Sequence, residues 1–372
     1  MMTRQLSESL LFTTPAVFAV GTEYQIIAQS TQAVLFWIKV GDTIYYDASN
    51  GIMNSLSNTH RVTVPMNALN TTKGYTVCIK PIIARKPYFT QTTETLEMYF
   101  TFYPVPDKNA RAYHLADCHN LVEEPIRAAK SFGNIDFLIL NGDVIDHSGR
   151  PENFVVIYQI CAALTEGHIP VVFARGNHDL RGEYAEQFIQ YTPHQRGNTY
   201  YSFQLGSIWG VILDCGEDKQ DDHPEYGFTV ACHTFRVQQT QFLLDLINHA
   251  ETEYNAPTVT TRLVISHVPF PERHSPPFDI EEDVYSQWCD LLRTHIKPQL
   301  MLCGHTHSTE IRYPGHEKDN FGQPCPIVVG SMRTVDGYLA GCGLVFEEKS
   351  VKCTFTDCTE TCIAESSLSL FQ

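Results

Sequence analysis

The sequence predicts an all-β sandwich over residues 1–105 followed by an α/β domain over 106–372. Three observations predict it. From residue 12 to about 105, short runs of β-forming residues alternate with turn signals, and no helical period is sustained. Pro104-Val105-Pro106-Asp107 then reads as a linker. Beyond it, strand-like and helix-like runs alternate, the pattern of a sheet with helices packed on its faces.

In the first part, Gln32 to Val40 is an apolar run rich in β-formers, and Gly41-Asp42 turns the chain into Thr43 to Asp47. Arg61 to Pro65, Tyr75 to Ile83 and Glu94 to Tyr103 continue as strands. Trp37 and the other aromatics of this part read as sandwich core. The stretch Leu69 to Tyr75 resembles the corner of fibronectin-type sandwiches. In the second part, strands are expected at Ala112–Ala116, Phe137–Leu140, Pro170–Ala174, Tyr200–Leu205, Trp209–Asp214, Leu263–Ser266 and Gln299–Cys303. Helices are expected at Leu121–Ser131, Phe154–Thr165, Phe235–His249 and Val284–His295. The tail returns to β at Ile327–Val329, Gly343–Phe346 and Val351–Phe355.

Composition bounds the function. The 372 residues are 43% hydrophobic and 18% charged, enough to bury real cores. No apolar run reaches the ~20 residues of a membrane span, and Met1 to Ser30 lacks the pattern of a secretory leader. A cytoplasmic protein without membrane contact is expected. The 12 cysteines are spread along the chain, as buried free thiols would be. A late disulfide among Cys353, Cys358 and Cys362 stays open. A net charge of −16 argues against nucleic-acid binding, which needs a basic footprint. It leaves room for a small phosphorylated substrate, because bound metals reverse the local field.

The chemistry lies at strand ends. Expected strands run into Asp117-Cys118-His119, Asn141-Gly142-Asp143-Val144-Ile145-Asp146, Arg175-Gly176-Asn177-His178-Asp179, His267 and Gly304-His305-Thr306-His307. Ligands of open α/β sheets sit beyond such carboxyl ends. At extended spacing, Asp117 and His119 point the same way and can share a metal, as can His305 and His307. Asp143 can bridge two ions with its two oxygens. The glycines before Asp143, Asn177 and His305 are expected to free the backbone for sharp turns. Isolated histidines carry less: His60, His168, His249 and His295 read as ordinary core or surface residues, and His114 as core. His147 reads as a bystander, Asp214 as a turn cap and Asp179 as a helix cap. The loops Val268-Pro269-Phe270-Pro271 and Pro276-Pro277-Phe278 are either pocket walls or plain connections.

The ordered series D-x-H, G-D-x-x-D, G-N-H-D, H and G-H-x-H resembles the calcineurin-like metallophosphoesterase superfamily over residues 110 to 310. About a dozen letters are fixed in order, each with a chance of roughly one in twenty. The resemblance implies a four-layer sandwich of two mixed sheets between helices. The fibronectin-like first domain looks most similar to purple acid phosphatases and their relatives. Those enzymes carry a tyrosine where this chain has Asp146, and lack the histidine matching His119. A colourless enzyme without tyrosinate–iron is therefore implied.

By the same resemblance, one metal is held by Asp117, His119, Asp143 and His307, and a second by Asp143, Asn177, His267 and His305. Two divalent or trivalent ions of manganese, iron or zinc are implied, with a bridging hydroxide that attacks phosphorus. His178 is the expected proton donor to the leaving oxygen, and Asp146 is expected to hydrogen-bond it. Arg181 and Arg175 are candidate phosphate clamps. The implied activity is hydrolysis of phosphomonoesters or phosphodiesters on a small molecule or a phosphoprotein. The alternative is a nuclease or cyclic-nucleotide phosphodiesterase of the same fold. A homodimer stays open.

Overall fold

The computed structural model describes residues 10–370. Two mixed sheets face each other across the centre. The six-stranded sheet runs in the order Tyr201–Leu205, Ile208–Ile212, Thr261–Ile265, Leu300–Cys303, Ile327–Gly330, Thr309–Arg312. Its partner has ten strands, with Leu339–Phe346, Ala110–Leu115, Phe137–Asn141 and Pro170–Ala174 side by side in its middle. Phe137–Asn141 lies parallel to both neighbours, and Ile208–Ile212, Thr261–Ile265, Leu300–Cys303 and Ile327–Gly330 are parallel in the other sheet. Their carboxyl ends therefore gather along one edge of the molecule.

These strands are continuous apolar runs because both faces are covered. In Phe137–Asn141, Ile139 points between the sheets, towards a core shared with Leu263, Ile265, Leu302 and Val328. Leu138 and Leu140 point the other way, onto Ala128 and Ala129 of helix Glu123–Phe132 and Ile157 and Ile160 of helix Val155–Thr165. Helices Cys232–Asn248 and Glu282–Leu291 cover the outer face of the six-stranded sheet through Leu243, Leu246 and Trp288. The order is helices, sheet, sheet, helices, and the mixed α/β sheets expected from the sequence are present.

The first hundred residues differ from expectation in how they attach. They do form two packed layers. Strands Leu96–Thr101, Gly74–Arg85, Val34–Val40 and Thr43–Tyr46, with Thr90–Thr92, make a five-stranded sheet. The facing layer is Ala16–Val20, Glu23–Gln29 and Thr59–Pro65, which continues the ten-stranded sheet. Val17 and Phe18 pair in parallel with Pro170 and Val171. The boundary expected between 105 and 106 thus does not separate the sheets. Residues 16–20, Ala-Val-Phe-Ala-Val, are wholly buried, as an interior strand must be.

Two further expectations in this part are corrected. Trp37 is not core: in Val34–Val40 the buried positions are Val34, Phe36, Ile38 and Val40, and Trp37 stands half-buried on the outer face. A short helix, Met66–Thr72, interrupts the all-β pattern, seating Met66 and Leu69 in the core. Tyr75 makes no local corner, because its hydroxyl donates to the Gly167 carbonyl at 2.9 Å, across to the second part of the chain. All 12 cysteines are unpaired, and Cys362 alone among them is exposed. Among the described residues, no helix is long and apolar enough to cross a membrane.

Candidate metal centre

At the gathered strand ends, Asp117, His119 and His307 bring ligand atoms within 4.8 Å of one another, as do Asp143, His267 and His305. The two buried aspartates join the groups. Asp117 Oδ1 lies 3.3 Å from His307 Nε2, 3.7 Å from His267 Nε2 and 3.9 Å from His119 Nε2. Asp143 Oδ2 lies 3.1 Å from His267 Nε2 and 3.9 Å from His119 Nε2. The Asn177 amide completes the second group, 3.1 Å from His305 Nδ1 and 3.3 Å from Asp143 Oδ2.

Each aspartate has one oxygen anchored and one facing inward. Asp117 Oδ2 accepts the His305 backbone N–H at 2.9 Å and the Ser331 hydroxyl. Asp143 Oδ1 accepts the His178 backbone N–H at 2.9 Å. The oxygen of Asp143 that faces both groups is therefore Oδ2 alone, where two bridging oxygens were expected. Two imidazoles are oriented in the same manner. His267 Nδ1 donates to the Asn141 carbonyl at 2.7 Å, and His119 Nδ1 lies 3.2 Å from Asp146 Oδ1. Both rings turn Nε2 inward, the arrangement that outer hydrogen bonds impose on metal-binding histidines.

Gly142 turns the chain as expected, with φ of 79°, but the other turns are built differently from the sequence reading. Asp117, His119, Asp143, His305 and His307 themselves take the left-handed region, with φ of 53°, 42°, 49°, 68° and 50°. Asp117 and His119 thus converge through a tight loop and not by extended spacing. Non-glycine residues persist there only where surrounding contacts hold them, as at functional sites. Gly176 and Gly304 serve close approach instead of turning. A Cβ on Gly176 would stand 2.2 Å from Asp143 Oδ1, and one on Gly304 would stand 2.8 Å from Asp117 Oδ2.

The electrostatics suit cations. Burial works against ionising Asp117 and Asp143, yet His267 and its neighbours hold both below the usual carboxylate range. Burial likewise opposes charge on His267, but Asp143 and Asp117 raise it to about 10. A pocket that keeps a proton on a buried imidazole is one that attracts positive charge. His119 and His305 are pushed down to about 4, chiefly by burial, and stay neutral as ligands require. His307 is raised, mainly by the Asp117 carboxylate 3.3 Å away.

Other expected residues sit as follows. His178 stands beside the centre, its ring 4.5 Å from that of His119. Its Nδ1 lies 3.0 Å from the backbone carbonyl of Asp146, while the Asp146 carboxylate is 3.9 Å away and turned to His119. The expected Asp146–His178 side-chain bond is corrected accordingly: the carbonyl holds His178 and the carboxylate holds His119. Arg175 is turned away as a clamp, bound to Asp214 at 2.7 Å and stacked over Phe235. Arg181 does reach the site, 3.2 Å from His178 Nε2, but Glu217 takes its fork with two 3.0 Å bonds. His147 bonds within its own turn, to the Gly149 N–H. His114 is buried beneath the site against the Asn141 amide at 3.0 Å. Asp179 accepts the Gly176 N–H at 2.7 Å, and burial raises its carboxyl to about 8.

Sequence reasoning missed Ser331 and Asn120. Ser331 follows strand Ile327–Gly330, so the strand-end signal that found the other residues would have found it. Asn120, whose side chain accepts the Asp146 N–H at 3.2 Å, adjoins the first motif.

A model of the calcineurin-like phosphoesterase family matches residues 110–309, more than half of the chain. The chain belongs to that family. It is a metallophosphoesterase by family membership. The structure of purple acid phosphatase PPD1 from yellow lupin (Lupinus luteus) seeds superposes with a TM-score of 0.59 at 13% identity, covering 95% of this chain and 74% of that one. A dimetal phosphatase from Danio rerio aligns at a TM-score of 0.46 and 13% identity, over 72% of this chain and 100% of that one. A Danio rerio protein named serine/threonine-protein phosphatase CPPED1 is 33% identical over 81 residues, 21% of this chain. That match spans 26% of the relative's length. The family binds a dinuclear metal centre, and the groups described above are the metallophosphoesterase's candidate ligands.

Proposed function

We propose that this metallophosphoesterase hydrolyses phosphoric monoesters or diesters with two metal ions. One would be held by Asp117, His119, Asp143 and His307, the other by Asp143, Asn177, His267 and His305. The observation that carries this reading is a trio of buried atoms with no hydrogen-bond partner: Asp117 Oδ1, His119 Nε2 and His267 Nε2. Buried polar atoms are nearly always satisfied. Three orphans converging from two loops fit ligands of a cation. The mixed nitrogen and oxygen donors suit manganese, iron or zinc. Bound there, such ions supply Lewis acidity and a hydroxide nucleophile at neutral pH.

The chain's own groups do the rest. The Asp146 carbonyl is only an acceptor, so the His178 proton in the resting site is on Nδ1. Nε2 faces Arg181, which is only a donor. To protonate a leaving oxygen, Nε2 must exchange Arg181 for a proton. Asp146 keeps His119 Nε2 turned inward, and Ser331 keeps Asp117 Oδ1 turned inward.

The name of the zebrafish relative makes phosphoserine and phosphothreonine the first substrates to try, beside small phosphate esters. The nuclease alternative is disfavoured by the carboxylates Glu217, Asp218 and Glu225 around Arg181, which repel a polyanion. The test is metal analysis with a phosphate-release screen. Wild type is expected to carry two ions and turn over esters. Asp143→Asn is expected to lose the metals. His178→Ala is expected to keep them and to lose about 100-fold or more in kcat on poor leaving groups. Full metal content and full activity in both variants would overturn the roles.

A further inference from the structure

Arginines surround the centre, and two are already matched. Arg175 is neutralised by Asp214 and Arg181 by Glu217. Arg333 is not. It ends the two-residue strand Met332–Arg333, which pairs with Leu339 and Ala340. The backbone leading to it is fixed to both sides of the site. Ser331 Oγ bonds Asp117 Oδ2, and Ser331 N bonds the Ser308 carbonyl at 3.3 Å, next to His307.

The Arg333 side chain is half-buried, yet it has no ion-pair or hydrogen-bond partner among the described residues, and its Nε is fully buried without one. A guanidinium drawn out of water without a counter-charge is costly. That such a group is left unmatched in a chain with 42 acidic and 26 basic residues calls for a ligand. Arg333 lies two residues beyond Ser331, whose hydroxyl is bonded to Asp117 at the centre.

We propose that Arg333 binds the phosphoryl oxygens of the substrate at this centre, a reading that rests on the phosphoesterase site described above. Its planar fork matches two oxygens of a tetrahedral phosphate. The phosphate supplies the counter-charge that the guanidinium lacks. A monoester dianion gains more from this contact than a diester monoanion, since the attraction scales with charge. Arg333 thereby tilts the enzyme towards phosphomonoesters.

The experiment compares metal-loaded wild type, Arg333→Ala, Arg333→Lys and Arg333→Gln. It measures kcat and KM for p-nitrophenyl phosphate and bis-p-nitrophenyl phosphate, calorimetric binding of inorganic phosphate, and metal content. Loss of the arginine is expected to raise the monoester KM and the phosphate Kd about tenfold or more. The diester KM should move less, the metal content should hold, and lysine should recover part of the loss. Arg333→Gln, which keeps the first three side-chain carbons without the charge, decides the matter where the alanine variant fails to fold. A phosphate Kd and monoester KM within about twofold of wild type, with metals intact, would overturn the proposal. A wild type that binds metals and phosphate yet hydrolyses neither ester would instead sink the catalytic reading, and phosphate calorimetry would still judge Arg333.

Discussion

Division of labour within single carboxylates organises the centre. Asp117 and Asp143 each tie one oxygen to a backbone N–H and present the other inward. This is why small side chains nearby are not neutral. Gly176 takes no left-handed φ, but its missing Cβ makes room for Asp143 Oδ1 and for the Asp143 backbone nitrogen, 2.4 Å from where the Cβ would stand. Gly176→Ala must push Asp143 aside, at a cost of about 1–3 kcal/mol in stability. Metal affinity is expected to fall at least about tenfold, as when the supports of a ligand are disturbed. Equilibrium dialysis against manganese, beside a urea titration, measures both. Unchanged affinity would mean that the loop relaxes freely. At this scale the strand-end residues were legible, because polar groups directly after an apolar strand have few places to be. The partner of each was not. Asp146 lies one residue from His147 and three from Asp143, and nothing in that spacing says that its carboxylate turns to His119 and its carbonyl to His178.

Among the elements, strand Thr59–Pro65 adds a polar tie between the first part of the chain and the rest. Its Arg61 donates to the carbonyl of Thr192 at 2.6 Å and lies 2.9 Å from His194 Nε2. Gln25, on the neighbouring strand, bonds the His194 backbone at 2.6 and 3.1 Å. Burial, helped by the Arg61 charge, pushes His194 down to about 4. The folded value lies below the unfolded one of about 6.5. As pH falls, the unfolded chain binds the proton first, so stability is lost from about pH 6.5 towards pH 4 and is unaffected above that range. His194→Gln is expected to narrow the difference between urea midpoints at pH 7.5 and pH 5.0. An equal difference in variant and wild type would refute a role for this histidine. The strands themselves were readable from period and turn signals, and Phe137–Asn141 and Pro170–Ala174 fall where the apolar runs are. The helix Met66–Thr72 was not, since seven residues between two strands carry too little periodicity.

For the whole molecule, the shared ten-stranded sheet alters what a truncation means. Removing residues 1–105 would strip Ala16–Val20 from Pro170–Ala174 and leave an interior strand as a bare edge. It would also uncover apolar surface packed by Val17, Phe18, Ile26 and Ile27, each worth about 1.5–3 kcal/mol when buried. The fragment 106–372 is expected to be insoluble or to lack a cooperative melt, by solubility and circular dichroism. A soluble fragment with the melting temperature of the full chain would show that the two parts are independent.

Order, residue type and position at strand ends are local properties, and the sequence alone was enough to determine the family, the two facing sheets and the residues that end their strands. Which sheet the strand Ala16–Val20 joins, which oxygen of each aspartate faces inward, and which arginine is left without a carboxylate were decided only by tertiary structure. These depend on groups that meet across long separations, as Ser331 meets Asp117 over 214 positions. An apolar run specifies burial but not its neighbour, and a charged residue does not reveal whether another charge has already reached it.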